Sequence, residues 1–179
     1  MSSYGWFTLL VVGVAVERLV ELVVARRNLA WAVARGGVEH GRALFGWMVL
    51  LHVGLLGGSL VEVWTQRPPW LPWLGWPMLG LVVASQGLRW WCISSLGRQW
   101  NTRVVVVPGL PLVTRGPYRR WRHPNYVAVV IEGFALPLVH TAWITSALFS
   151  ALDAVVLRSR IRTEDRALAQ LRPSADRDR

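Results

Sequence analysis

Apolar residues gather into five long runs separated by short polar stretches. Tyr4 to Ala25, Leu44 to Val63 and about Gly75 to Leu96 form the first three, and Pro124 to Val139 and Ala142 to Leu157 the last two. Each of the first three is long enough for a helix to cross a hydrocarbon core at ~1.5 Å per residue. The last two are slightly shorter, and only His140-Thr141 lies between them, a connection so tight that it predicts an antiparallel helical hairpin. Pro124 is placed to open its helix, because the N–H that proline lacks is unpaired in a first turn anyway. The N–H groups of Asn125, Tyr126 and Val127 are then expected to stand free at that end, where a partial positive charge suits an anionic group. Pro137 is expected to free the carbonyl of Gly133, and Gly54, Gly57 and Gly58 offer a small surface for close helix packing. The valine run 104–107 has strand propensity; with no convincing partner strand, it is expected to lie extended along a membrane surface.

The pattern therefore predicts an all-α membrane protein of about five transmembrane helices. A single domain covers residues 1–179, with three helices in 1–96 and a second half, 97–171, holding a basic loop, the hairpin and a cytoplasmic helical extension. Composition agrees: 53% of the 179 residues are apolar and 12 are tryptophans, several of them at the edges of the apolar runs, where interfacial belts form. The first run does not read as a signal peptide, because no basic region precedes it and Glu17, Arg18 and Glu21 interrupt its second half.

Charge adds orientation. The net +10 comes from arginines concentrated in loops, Arg26, Arg27, Arg35 and Arg42 marking the first and the stretch from Arg98 to Arg122 the third. Anionic lipid headgroups and topology account for this distribution, so no nucleic-acid partner is expected. The positive-inside rule puts the N-terminus outside and the C-terminus in the cytoplasm, in the cell inner membrane. With Cys92 as the only cysteine, no intramolecular disulfide or cysteine cluster can form. His40, His52, His123 and His140 are scattered without ligand spacing, which argues against a metal enzyme. His52 reads as a hydrogen-bonded structural residue.

Candidate chemistry falls in two places. Arg115-Gly116-Pro117-Tyr118-Arg119-Arg120-Trp121-Arg122-His123-Pro124-Asn125-Tyr126 is a basic, aromatic loop running straight into an apolar helix. On a helix continued from Asp153, an apolar stripe of Leu157, Ile161, Leu168 and Leu171 has Glu164 in its middle. A carboxylate there needs a partner, and Arg160, one turn earlier, is the adjacent candidate. Glu132 shares a helical face with Asn125 and reads either as lining an acceptor pocket or as a helix-packing partner. Arg18 and Glu21, three apart, either neutralise each other near the headgroups or reach other helices.

Leu112-Val113-Thr114-Arg115-Gly116-Pro117-Tyr118, then Arg122-His123-Pro124-Asn125-Tyr126, then Arg160-Ile161-Arg162-Thr163-Glu164-Asp165 with Leu168 together resemble the isoprenylcysteine carboxyl methyltransferase family of integral membrane enzymes. The resemblance implies a cytoplasmic pocket for S-adenosyl-L-methionine, leaving S-adenosyl-L-homocysteine as product, contacted by Leu112, Val113, Tyr118, His123, Pro124, Asn125, Tyr126 and Glu164. It implies methyl transfer to a lipophilic or prenylated acceptor, a carboxylate or another lipid-like hydroxyl. Arg160 and Glu164 take the catalytic positions, with Arg160 on the acceptor side; Glu132, which the family motif does not demand, stays a candidate acceptor contact from its place in the apolar run alone. Three other readings stay open: phospholipid N-methylation, a sterol-reductase-like enzyme using a nicotinamide dinucleotide, and a non-enzymatic membrane subunit binding a partner or lipid.

Overall fold

The computed structural model describes residues 2–169. Five helices carry most of the chain: α1 Ser3–Val33, α2 Arg42–Gln66, α3 Pro72–Leu96, α4 Pro124–Leu138 and α5 Trp143–Ala169. Two short strands, β1 Val38–His40 and β2 Val104–Val106, pair antiparallel in the register Val38↔Val106, Glu39↔Val105 and His40↔Val104. The valine run is therefore not a lone surface segment. Its partner, Val38-Glu39-His40, has one valine and two polar residues and no alternation to announce it. Arg103, next to β2, fastens the pair by reaching both carboxylate oxygens of Glu39 at 2.9 and 3.1 Å.

The helices depart from the apolar runs at their ends. α1 continues to Val33, so Arg26 and Arg27 lie within it and not in a loop; arginine, leucine and alanine are all good helix formers. Asn28 in this extension donates to the carbonyls of Trp100 at 2.7 Å and Gly97 at 3.3 Å, docking the end of α1 on the chain that follows α3. The helix from Asp153 is likewise continuous with the fifth run, giving 27 residues from Trp143 to Ala169. Leu171 of the expected stripe lies outside the described residues.

Phe7, Val11 and Val14 of α1, Val63 of α2, Val82 of α3, Ala135 and Leu136 of α4 and Val139 at its C-cap form the main apolar cluster. α4 and α5, joined through residues 139–142, pack at Gly133, where an added Cβ would lie 1.9 Å from the Phe149 ring. Of the three glycines expected to bring helices together, only Gly58 faces a neighbour, Thr145 at 3.3 Å; Gly54 and Gly57 face open space. Glu62 of α2 caps α5, accepting from the N–H groups of Ile144 at 3.0 Å and Thr145 at 2.7 Å. This use of a buried carboxylate, with the helix N-terminus supplying the opposite partial charge, follows from the unpaired donors of a first turn.

Large apolar side chains are exposed on every helix: Leu9 and Leu19 on α1, Leu50 and Val53 on α2, Trp76 and Val83 on α3, Val130 on α4, and Ile144 and Val155 on α5. Among the described residues one helix, α2, is both long and apolar enough to cross a membrane by length and composition. α4 is apolar but shorter, α1 and α5 carry charges from Glu17 and Asp153 onward, and α3 is diluted by tryptophan, glycine and serine.

The charges of α1 do not form a self-contained headgroup pair. Arg18 bonds Glu21 at 2.6 Å as its spacing predicts, and also reaches Gln86 of α3 at 2.8 Å and Glu132 of α4 at 3.3 Å. Arg89 of α3 bonds Glu132 at 2.6 Å, and Glu17 accepts from Gln86 and Trp90. Three helices are thus tied by one buried polar network. His52 is bonded to the carbonyl of Met48 at 2.8 Å, the structural role its position suggests.

Candidate active site

A cavity of about 410 Å³ opens where the chain after α3, the 112–126 loop and the last turns of α5 meet. Leu112, Val113, Tyr118, His123, Asn125, Tyr126, Arg160 and Glu164 all line it. Three of these are drawn together at its wall. Tyr126, in the first turn of α4, donates its hydroxyl to the Glu164 carboxylate and accepts from Arg160 Nε at 2.9 Å. Arg160 and Glu164 therefore do not pair directly across one helical turn; the phenol of α4 stands between them and joins two helices. Arg160 is buried, and its Nη1 also touches the Met48 sulfur of α2.

His123 caps the start of α4 and stacks on Tyr126, ring centroids 5.3 Å apart and planes 19° from parallel. Its ring lies between two carboxylates, with Nδ1 3.7 Å from Glu164 and Nε2 3.4 Å from Asp165. Pro124 opens the helix as expected, but is buried behind the cavity and does not line it. Of the N–H groups expected to be free at this end, that of Tyr126 is taken by the carbonyl of His123 at 3.1 Å, a tightened first turn. Asn125 lines the cavity with a buried Oδ1 that has no partner among the described residues.

The loop is held rigidly against α3. Gly116 adopts φ +59°, and a Cβ there would strike Ser95 Oγ at 2.1 Å. Arg115 Nε donates to the Ser95 carbonyl at 2.9 Å. Tyr118 then reaches the cavity as a neutral phenol: burial raises its pKa above the ordinary tyrosine range, and the adjacent Cys92 thiol adds to the shift.

Glu132 does not line this cavity. It lies 2% exposed in the network with Arg89 and Arg18, two turns deeper along α4 than Asn125. Conversely, the cavity has a wall that pattern reading does not find: Gln99, Trp100, Asn101 and strand β2, with Arg103. The Gly97-Arg98-Gln99-Trp100-Asn101 stretch was visible as a polar island between apolar runs. Its place opposite Tyr126 depends on Asn28 and on β1, both far away in sequence.

Three comparisons bear on this arrangement. Residues 78–170 match the model of the isoprenylcysteine carboxyl methyltransferase (ICMT) family, a span that takes in most of α3 as well as the loop, α4 and α5. An uncharacterized protein of Bacillus subtilis, YpbQ, is 37% identical over 165 residues, 92% of this chain and 97% of its own length. The cobalt-zinc-cadmium resistance protein CzcN of Cupriavidus metallidurans is 35% identical over 96 residues, 54% of this chain and 40% of its own. An uncharacterized protein of Haemophilus influenzae is 22% identical over 161 residues, 88% and 92% of the two chains. The family match covers the residues that build the cavity, from Leu96 at the end of α3 to Ala169 in α5, and this chain belongs to the isoprenylcysteine carboxyl methyltransferase family.

Proposed function

We propose that this protein is a membrane-embedded, S-adenosylmethionine-dependent O-methyltransferase acting on a lipophilic carboxylate or lipid-like hydroxyl. The observation that carries the reading is the convergence of Tyr126, Arg160 and Glu164 on one cavity, within the part of the chain that defines the family. The exposed apolar side chains on all five helices support a bundle solvated by lipid, and the arginine distribution supports an outside N-terminus and a cytoplasmic cavity.

The cavity's donor set fits the nucleotide. Its volume of about 410 Å³ is within the usual range for small-molecule sites. The unpartnered Asn125 Oδ1 and the Glu164 carboxylate are acceptors for an amine or ribose hydroxyls. Arg122 and the start of α4 suit a carboxylate. Leu112, Val113 and Tyr118 offer apolar and aromatic surface to a base. When bound, S-adenosylmethionine supplies an electrophilic methyl group on a positively charged sulfur. The chain's own residues provide position. Tyr126 fixes Arg160 and Glu164 relative to each other, Arg160 orients an acceptor carboxylate, and Leu96, strand β2 and Leu168 keep water away. A carboxylate acceptor is ionised at neutral pH and requires no base.

Purified protein should bind S-adenosylhomocysteine, and not NADPH, in calorimetry. Labelled methyl should pass from S-adenosylmethionine into members of a panel of lipophilic acids and phenols. Absence of S-adenosylhomocysteine binding in protein that remains folded would overturn the reading, and methyl transfer only to phospholipid amines would move it to N-methylation.

A further inference from the structure

The cavity mouth carries a basic ridge of which the proposed reaction uses only Arg122. From Gly97 to Ile131 the sequence holds six arginines and no acidic residue. Arg119, Arg120 and Arg122 are exposed and have no ion pair among the described residues, and Trp121 between them is 52% exposed. Like charges this dense repel one another unless anions lie between them. We propose that the ridge Arg119-Arg120-Trp121-Arg122 binds the headgroups of anionic lipids in the adjoining leaflet, and that its occupancy strengthens donor binding in the cavity.

Depth along α4 supports the first half. Val127, Val130 and Phe134, 41%, 49% and 47% exposed, form an apolar face that begins one turn after the ridge. Hydrocarbon face, then tryptophan, then arginines is the order of side chains that matches acyl chains, interface and headgroups. The ridge is also preshaped. The turn Gly116–Arg119 is pinned to Ser95, and the N–H groups of Arg120 and Trp121 both donate to the Pro117 carbonyl, at 3.2 and 3.1 Å. Guanidinium groups held on a fixed turn lose less freedom when they fork onto a phosphodiester.

The second half rests on the methyltransferase reading. Trp121 and Arg122 belong to the ridge and to the cavity lining at once, so an anion that orders them for one side orders them for the other. By linkage, the donor must in turn favour lipid binding.

The test uses the full-length protein and the double variant Arg119→Gln/Arg120→Gln, whose two positions do not line the cavity. Retention of phosphatidylglycerol against phosphatidylcholine is measured by native mass spectrometry from neutral detergent. An arginine near an anionic surface contributes about fivefold in affinity, so the pair accounts for about 25-fold of the preference. Arg119→Lys/Arg120→Lys should keep most of that preference, which separates lost charge from a damaged fold. In nanodiscs, S-adenosylhomocysteine affinity should rise when phosphatidylglycerol is included for wild type, and not for the glutamine variant. Equal retention of the two lipids, or an unchanged preference in the glutamine variant, would overturn the surface. So would full replacement of the lipid effect by soluble glycerol phosphate. Lipid preference with donor affinity indifferent to it would overturn the coupling. Lipid preference with no donor binding in any membrane would sustain the surface and count against the enzyme.

Discussion

Removing one oxygen, in Tyr126→Phe, tests whether the phenol between Arg160 and Glu164 organises the site. In the native arrangement this hydroxyl makes two hydrogen bonds to charged groups, one donated to Glu164 and one accepted from Arg160 at 2.9 Å. Bonds of that kind contribute about 1.5–3 kcal/mol each, so the pair is worth about 3–6 kcal/mol before any rearrangement. Part returns, because Arg160 and Glu164 are one turn apart and can close on each other, a contact worth about 0.5 kcal/mol on an exposed helix and more in this half-buried setting. The phenylalanine ring keeps the apolar packing and the stack with His123. A net loss of about 2–5 kcal/mol follows, which for a chain of this size is a fall of roughly 4–20 °C in unfolding temperature. Methyl transfer should fall more than tenfold, since Arg160 and Glu164 would be paired with each other and no longer presented to ligands. Glu164→Gln is the control: the amide oxygen can still accept from Tyr126, so the stability loss should be about 1 kcal/mol. If Tyr126→Phe kept both its unfolding temperature and its transfer rate, the bridging hydroxyl would be incidental and the reasoning wrong.

The remaining predictions concern parts of the structure with separate duties. Glu62→Leu leaves the N–H groups of Ile144 and Thr145 without an acceptor and should destabilise by about 1–3 kcal/mol in thermal unfolding, with donor affinity in the folded protein unchanged. Arg89→Met leaves the Glu132 carboxylate, 2% exposed, short of a partner and should cost about 3–5 kcal/mol, whereas Arg89→Met with Glu132→Met should recover most of that loss. His140 is fully buried among Tyr4, Trp6 and Phe7, and burial lowers its pKa. The neutral ring is the form the fold accepts, so the unfolded chain takes up a proton first. Stability should fall as pH drops below about 6.5, and His140→Phe should flatten that part of the pH profile of unfolding temperature. Arg160→Lys keeps the positive charge and loses the fork, so a carboxylate acceptor should be methylated at least tenfold more slowly while S-adenosylhomocysteine still binds.

What the sequence makes legible here depends on how local the signal is. The start of α4 is readable because Pro124 marks it within one residue, and the placement of His123, Asn125 and Tyr126 in one turn follows at once. Glu164 stands out because a carboxylate in an apolar stripe is an anomaly that chemistry must explain. Its partner is harder to read. Arg160 is the nearest cation along the helix, but Tyr126, 38 residues away from Glu164, supplies the bond. Periodicity gives a face and not the element that covers it. The same limit hides β1, whose three residues pair with β2 only because α1 runs on past Ala25 and delivers them there. Glu62 is invisible for the converse reason: it lies near the end of an apolar run where a carboxylate reads as a boundary, yet it crosses to cap another helix.

Two polar systems therefore share one bundle without sharing a task. The deeper network, Glu17, Arg18, Glu21, Arg89 and Glu132, is sealed between the helices: most of its charges are 2–5% exposed, and each positive group meets at least two carboxylates or amides within it, although Arg18 Nε, Glu21 Oε1, Arg89 Nε and Glu132 Oε1 carry no hydrogen bond among the described residues. Desolvated charges tied this way hold α1, α3 and α4 in register but have no free face to offer a ligand, because taking one away leaves another stranded. The system around Tyr126 is the opposite. Asn125 has an unused acceptor, His123 stands between two carboxylates that are themselves 28% and 43% exposed, and the cavity brings all of them to one opening. Polar groups sealed between helices build the scaffold, and those that border the cavity face the reaction. Glu132 falls on the scaffold side of that division although its helical face points along the line of Asn125. A substitution at Glu132 should accordingly act on transfer only through the stability of the fold, whereas one at Asn125 should act on donor affinity with the fold intact.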